Sequence, residues 1–98
     1  MEFDWDDAKH ERNIRERGFG FDYAALIFLG PVLERMDNRR DYGEARFQAI
    51  GDTGSDILFV VYTLREGAVR ILSARPANRK ERLAWRERQS KKYSPTDQ

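Results

Sequence analysis

Cysteine is absent from this sequence of 98 residues, and histidine occurs only once. The lack of cysteine excludes a disulfide-stabilised scaffold and a zinc site built on thiolates, and it is typical of proteins in a reducing compartment. The sequence also has no apolar run near the ~20 residues that a membrane-spanning helix needs. Its acidic first segment, MEFDWDDAKH, lacks the apolar core of a signal peptide. We therefore expect a cytoplasmic protein with no membrane contact.

The composition that remains is highly charged but apolar enough to fold. Hydrophobic residues make up 40% of the chain and charged residues 36%, which predicts a globular domain and not a disordered chain. We expect a single domain over residues 1–93 and a disordered tail at residues 94–98.

The net charge of +1 conceals an uneven distribution. Residues 78–92 contain seven lysines and arginines against two glutamates, a net charge of +5. Such a segment is either a solvated helix or a surface that binds a polyanion or an acidic partner. Charge by itself leaves both interpretations open.

The N-terminal third predicts a strand followed by a helix. Residues 2–5 alternate polar and aromatic side chains, which is typical of a short edge strand. Asp6 or Asp7 can cap a helix that runs to about Arg17, and Gly18 stands where helices usually end.

A second, more apolar helix is predicted next. Asp22 is a suitable N-cap, Phe21 and Leu26 have the spacing of a hydrophobic staple, and Gly30-Pro31 ends the segment. Apolar residues cover most of the predicted helix surface, so we expect it to be largely buried.

From residue 32 onward the apolar pattern changes toward a period of two. This period predicts four strands, at about residues 32–36, 45–51, 57–64 and 69–75. The short polar connections between them predict an antiparallel meander. The run ILFVVYTL is continuously apolar, so we expect it to be a central strand covered on both faces.

The last predicted helix begins at Asn78, which forms a capping pair with Glu81. Its apolar side chains are Leu83, Ala84 and Trp85, too few to hold a helix by its own apolar face. We expect marginal packing or completion by a partner. The fold class is α+β, with two N-terminal helices and a C-terminal helix packed on an antiparallel sheet.

The residues available for chemistry exclude several mechanisms. His10 stands among charged helix residues, so we expect a solvated side chain, and no Ser–His–Asp or Cys–His set is present. Asp6-Asp7, Asp37 and Asp41 fit helix caps and turns better than a metal site. We predict neither a metal nor a cofactor.

The remaining chemistry is that of arginine, lysine and carboxylate. RNA cleavage through the neighbouring 2′-hydroxyl requires a base, cations on the developing phosphorane charge and a proton for the 5′-oxygen. The candidates lie on the last strand, the last helix, the first helix and the start of a strand, and they are Arg70, Arg75, Arg79, Lys9, Arg12, Glu44 and Arg46.

The spacing of two of these arginines adds a constraint. Arg70 and Arg75 are five residues apart, so in a regular strand their side chains point to opposite faces. They can share a site only if the strand bends or ends near Ser73, which the approach of Pro76 favours. Arg70 in a structural ion pair and Arg79 as a simple surface charge are the alternatives.

Several segments in order resemble the BrnT family of bacterial type II toxins. The matching residues run from about residue 3 to residue 85 and are Phe3-x-Trp5-Asp6 with Lys9 and Asn13, Gly18-x-x-Phe21, Phe28 with Pro31, Gly43-Glu44-x-Arg46, Val60-Val61-Tyr62-Thr63-x-Arg65, Arg70-Ile71-x-Ser73-Ala74-Arg75-x-Ala77, Arg79 and Glu81-Arg82. The ordered set is specific, although each piece is short.

The resemblance implies a RelE/ParE-like fold and a ribonuclease that inhibits translation and growth. It also implies a partner, a BrnA-like antitoxin that binds operator DNA and brings the toxin to DNA only indirectly, in a hetero-oligomer. The chain departs from the family pattern where Glu16-Arg17-Gly18 replaces a common Lys-His-Gly, and where Pro76 replaces a common basic residue.

Two hypotheses follow from the sequence. In the first, the protein is a metal-independent endoribonuclease in which Arg70, Arg75, Glu44 and Lys9 are catalytic. Four further arginines would bind RNA in this hypothesis, namely Arg79, Arg82, Arg12 and Arg46. In the second, the basic helix belongs to a non-catalytic binding module that pairs with a DNA-binding antitoxin in an autorepressing complex. In that module the basic helix would bind an antitoxin or nucleic acid, and binding to nucleic acid through phosphates would weaken steeply with salt, whereas a packed antitoxin interface would not.

Overall fold

A computed structural model describes residues 1–92 of the chain. The tail predicted at residues 94–98 therefore lies outside the described residues. The elements follow in the order β1 (Phe3–Trp5), α1 (Asp7–Arg17), α2 (Phe21–Ala24), a 3₁₀ helix (Ala25–Leu29), β2 (Val32–Met36), β3 (Phe47–Asp52), β4 (Ile57–Arg65), β5 (Ala68–Pro76) and α3 (Arg79–Lys92). The predicted α+β class is confirmed.

The five strands form one sheet in the order β1-β5-β4-β3-β2. Strands β2 to β5 pair antiparallel as a meander, as their short connections predict. The prediction of a fully antiparallel sheet is wrong, however, because β1 pairs with β5 in parallel, with Phe3 opposite Val69 and Trp5 opposite Ile71. Alternation predicts that residues 3–5 are a strand, but it does not determine the partner or direction of an edge strand.

The hydrophobic core lies between one face of the sheet and the segment of α2 and the 3₁₀ helix. The largest fully buried side chains are Phe21 and Ile27 from that segment and Leu58, Val60 and Ile71 from the sheet. Strand β4 is buried from Leu58 to Thr63, which confirms the prediction of a central strand covered on both faces.

Helix α1 begins and ends where its local signals predict. The Asp6 side chain accepts a hydrogen bond from the Lys9 backbone N–H at 3.0 Å. Gly18 has a φ of 83°, the left-handed conformation that glycine adopts at low cost, and its N–H donates to the Ile14 carbonyl at 2.9 Å.

The predicted start of the second helix is wrong. Its N-cap is Gly20 and not Asp22, and Phe21 lies inside the helix, so no staple with the 38% exposed Leu26 forms. The first helical N–H, that of Phe21, donates to His10 Nδ1 at 3.0 Å. A tertiary contact therefore replaces the local cap. The prediction that this segment is largely buried holds for its inward residues Phe21, Ala24, Ala25 and Ile27, whereas Leu29 is 83% exposed.

His10 is half-buried and structural, so the expectation of a solvated side chain is wrong. Its ring stacks on Trp5 with centroids 5.4 Å apart and meets the edge of Phe21 at 6.2 Å. A Cβ atom at Gly20 would lie 2.3 Å from His10 Cε1, so the close approach of the histidine requires glycine there. The contacts of His10 with Phe21 and Gly20 depend on how α1 and α2 pack together.

Helix α3 begins as the sequence predicts and lies on the other face of the sheet. Asn78 and Glu81 exchange two hydrogen bonds of 2.8 Å between side chain and backbone, a capping box. The helix contacts β2 and β3. Its own apolar residue Leu83 remains 53% exposed, so the helix requires additional attachment.

Candidate functional site

A β-bulge in β5 resolves the spacing of the two strand arginines. Val61 pairs with Ser73 and Tyr62 pairs with Ile71, so Leu72 is an extra residue in the ladder. Arg70 lies opposite Thr63 and Arg75 opposite Phe59. Thr63 and Phe59 are four residues apart on a regular strand, so both arginines project from the same face of the sheet.

The shared face does not bring the two arginines into one site. Four residues of strand separate their cross-strand partners by about 13 Å at ~3.3 Å per residue. Each guanidinium also has its own carboxylate, Asp4 for Arg70 and Glu81 for Arg75. They therefore belong to two separate arrangements.

Arg70 lines a cleft at the edge of the sheet, which we call the edge cleft. It has a volume of about 290 Å³. Four cations and two carboxylates line it together with two apolar side chains, and the eight residues are Lys9, Arg46, Arg65, Arg70, Asp6, Glu44, Ile71 and Leu72. The edge cleft thus brings together three of the four residues predicted to be catalytic and one predicted to bind RNA.

Arg70 is held in the edge cleft by β1. Its Nη1 donates to an oxygen of Asp4, which lies directly opposite in the parallel pair. The Arg70 guanidinium holds the pKa of the Asp4 carboxyl below its ordinary value. Because this contact uses one of the five N–H groups of the guanidinium, others remain for an anion.

Glu44 lies between two arginines. Arg65 Nη2 donates to its Oε1 at 3.1 Å, and Arg46 Nε lies 3.4 Å from its Oε2. The hydrogen bond from Arg65 is the largest cause that holds the pKa of Glu44 below its ordinary value. Glu44 is therefore ionised at neutral pH and is a weak base, since a lowered pKa reduces proton affinity.

The loop that carries Glu44 and Arg46 is fixed at several points. The Asp37 backbone N–H donates to the Arg46 carbonyl at 2.8 Å, and the Thr63 hydroxyl donates to the Ala45 carbonyl at 2.6 Å. The Arg46 guanidinium carbon lies 4.0 Å from the centre of the Tyr42 ring. These contacts place the loop against β4.

The Asp37 side chain is fully buried and closes the base of this loop. It accepts hydrogen bonds from Arg39 Nε at 2.8 Å and Arg39 Nη2 at 2.7 Å. The hydrogen bonds from Arg39 lower the pKa of Asp37 from 3.8 to about 2. Asp37 and Asp41, which accepts from the Gly43 N–H at 2.9 Å, have the turn roles that the sequence suggests.

We expect Asp37→Asn to destabilise the fold by about 1–2 kcal/mol at pH 7, because Arg39 is 61% exposed and water screens part of the interaction. The folded-state pKa is depressed, so this stabilisation is present above about pH 4 and is lost as the pH falls toward 2. Urea denaturation of both proteins from pH 7 to pH 2 measures the difference. A difference that stays constant across this range would contradict the assignment.

Arg75 lies outside the edge cleft and joins α3 to the sheet. Its Nη1 and Nη2 donate to the two carboxylate oxygens of Glu81 at 2.8 and 2.9 Å, and its guanidinium carbon lies 4.1 Å from the centre of the Phe59 ring. Arg75 holds the pKa of Glu81 below its ordinary value. This bidentate contact supplies the attachment that the short apolar face of α3 lacks.

The other predicted RNA-binding arginines are dispersed. Arg79 is exposed at the start of α3, and Arg82 donates to the Ala77 carbonyl at 2.7 Å. Arg12 lines a groove between α1 and β5 that adjoins the edge cleft through Lys9.

Arg65 is the cleft residue that the list of candidates missed. It occurs at the end of β4, where its proximity to Glu44 depends on the path of the loop at residues 37–46. Sequence spacing contains no signal for that contact.

Within residues 1–92, no helix has the length and apolar character needed to cross a membrane.

A small α+β domain with a cation-rich cleft at the sheet edge defines a protein suited to a polyanionic substrate. A family model described as the ribonuclease toxin BrnT of type II toxin–antitoxin systems matches residues 5–81. The chain belongs to this family and is a ribonuclease toxin with an antitoxin as partner. The predicted BrnT family and the predicted ribonuclease toxin activity are thus confirmed. No curated protein matches the chain.

Proposed function

We propose that the chain is an endoribonuclease that cleaves RNA in the edge cleft without a metal ion and thereby inhibits translation and growth. The observation that carries this proposal is the convergence of Lys9, Arg46, Arg65 and Arg70 around Glu44. Four cations against two carboxylates favour a phosphate over a metal cation, and they supply the charge that a metal would otherwise provide.

The reaction is an internal transesterification of RNA. The 2′-oxygen forms a bond to phosphorus, the bond from phosphorus to the 5′-oxygen breaks, and the products are a 2′,3′-cyclic phosphate and a 5′-hydroxyl. The proton of the 2′-hydroxyl passes to the Glu44 carboxylate, and the Lys9 ammonium donates a proton to the leaving oxygen. Arg70 and Arg46 stabilise the negative charge on the phosphorane. Since Glu44 is a weak base, most of the acceleration comes from the cations.

The test uses the chain purified away from its antitoxin, with end-labelled RNA in EDTA. We expect fragments with 2′,3′-cyclic phosphate and 5′-hydroxyl ends. An Arg88→Ala variant removes an exposed charge of α3 outside the edge cleft, and as a control it should cleave the RNA as the wild-type chain does. Cleavage that is absent in EDTA and occurs only when Mg²⁺ is added would contradict the proposal, and so would fragments with 5′-phosphate ends.

A BrnA-like antitoxin is the proposed partner in a hetero-oligomer, and it would be the component that contacts operator DNA. Two features of the α3 side support a protein partner. Leu83 is 53% exposed. An apolar groove of about 250 Å³ runs between α3 and strands β2 and β3, where Leu33, Ile50 and Ala84 line it.

One observation favours the second candidate function, a non-catalytic binding module. Three of the four cleft cations already have a carboxylate partner, Asp4 for Arg70 and Glu44 for Arg46 and Arg65. A folded chain that binds RNA with a steep salt dependence, yet leaves it intact in EDTA and in Mg²⁺, would assign this function instead. The relationship of the fold to RelE/ParE toxins stays a prediction.

A further inference from the structure

A groove leads from the edge cleft along the unpaired part of β5. Strand β1 pairs only with residues 69–71, and beyond them α1 lies beside β5. The groove between α1 and β5 has a volume of about 220 Å³ and shares Lys9 and Leu72 with the edge cleft. Arg12 and Arg17 also line it. Lys9, Arg12 and Arg17 span about 12 Å of helix at 1.5 Å per residue, which suits the phosphates of a short single strand.

Beyond the Arg17 end of the groove lies a cavity of different chemistry, which we call the terminal pocket. Arg17 lines both the groove and this pocket, which has a volume of about 460 Å³. Its apolar walls are formed by Phe19, Tyr23, Leu58 and Pro76. The Phe19 and Tyr23 rings are both half-buried, with centroids 5.6 Å apart.

A single carboxylate at the rim of the terminal pocket is held in a fixed orientation. The Tyr23 hydroxyl donates to Asp56 Oδ2 and lies 2.8 Å from the Thr53 hydroxyl. Thr53 Oγ1 in turn accepts from the Asp56 backbone N–H at 3.0 Å. An exposed carboxylate therefore stands oriented beside aromatic walls, with lone pairs left for an N–H donor.

The contrast between groove and pocket indicates what each part binds. The groove carries three cations against one carboxylate, Glu16, and this excess of positive charge suits phosphates. The pocket instead balances one arginine against one carboxylate between aromatic and apolar walls. A carboxylate repels phosphate but accepts hydrogen bonds from amino groups of bases, and aromatic walls favour stacking of a flat ring.

We infer that the terminal pocket binds one base of the single-stranded RNA whose phosphates lie along Lys9, Arg12 and Arg17. Asp56 selects a base that presents an exocyclic amino group, such as cytosine, over uracil. This inference rests on the proposed RNA cleavage in the edge cleft, and it assigns to the same groove a specificity that the cleft residues do not supply.

The test measures binding of short single-stranded 2′-O-methyl oligonucleotides, one of cytosine only and one of uracil only. The blocked 2′-oxygen prevents cleavage, and the two probes have equal charge. We expect the wild-type chain to bind oligo-C more tightly than oligo-U by about 2- to 12-fold, the equivalent of one hydrogen bond. Fluorescence anisotropy with labelled probes gives the dissociation constants.

Three pocket variants separate base recognition from charge. Asp56→Asn should bring the ratio between the two probes close to one, and Tyr23→Phe should reduce it because the carboxylate loses its orienting hydroxyl. Phe19→Ala should weaken both probes by roughly 5- to 150-fold through lost stacking. Glu87→Gln removes one acidic charge from the exposed surface of α3 and is the matched control for Asp56→Asn.

Each result decides the inference separately from the cleavage proposal. Equal binding of the two probes by the wild-type chain, or binding that the pocket variants leave unchanged, would overturn it even if cleavage in EDTA is observed. Pocket variants that weaken antitoxin binding and leave RNA binding intact would assign the pocket to the protein partner and would also overturn it. Because Phe19 packs against the core, circular dichroism must confirm that its variant is folded, whereas Asp56→Asn alters an exposed turn.

Discussion

Replacing Lys9 by alanine is expected to lower the rate of RNA cleavage by about 100- to 1,000-fold while the fold stays intact. Lys9 is exposed on α1 and lines the edge cleft, and within residues 1–92 its side chain forms no ion pair. Its backbone N–H, which Asp6 caps, remains in the variant. The free energy of unfolding should therefore change by no more than about 0.5 kcal/mol.

Single-turnover cleavage of a labelled RNA in EDTA measures the effect, with Arg15→Ala as an exposed control on the same helix. Lys9→Arg divides the role into its two parts, because arginine keeps the positive charge but does not release a proton near neutral pH. We expect partial recovery if charge dominates and little recovery if proton donation dominates. A Lys9→Ala variant that cleaves at the wild-type rate would remove Lys9 from the site.

Replacing Arg75 by alanine is expected to reduce the free energy of unfolding by about 2–3 kcal/mol. The substitution removes two hydrogen bonds to Glu81 and the contact with the Phe59 ring, which together attach α3 to the sheet. The Glu81 side chain is only 17% exposed, so its charge is left poorly solvated and without its partner. Urea denaturation measures the loss, and circular dichroism reports how much helix remains.

Arg79→Ala is the matched control, since Arg79 is exposed on the same helix, and it should change stability by less than about 0.5 kcal/mol. The sequence predicts a catalytic role for Arg75, whereas its contacts indicate a structural one. Cleavage per folded molecule distinguishes them. A stable Arg75→Ala variant that has lost cleavage would restore the catalytic role.

The edge cleft could be predicted from sequence only as a list of residues. The composition shows which residue types are available for a site, because lysine, arginine, aspartate and glutamate are abundant and histidine occurs once. Which of them meet is not evident, because Arg70 approaches Glu44 and Arg65 only through strand register and the fixed loop at residues 37–46. Arg75 is also an arginine of β5, but it lies outside the edge cleft. Its partner on β4 is four residues away from the partner of Arg70, and its guanidinium is bound to the Glu81 carboxylate.

The sequence by itself determined the features that depend on neighbours within a few residues. The Asp6 cap, the Gly18 end of α1 and the Asn78–Glu81 box are local hydrogen bonds, and the continuous apolar run of β4 and the alternation of β5 are local patterns. Tertiary structure alone decided the parallel pairing of β1, the bulge at Leu72 and the capping of α2 by His10. These depend on groups distant in sequence, whose mutual approach is set by packing of the whole core and not by the local preference of any segment.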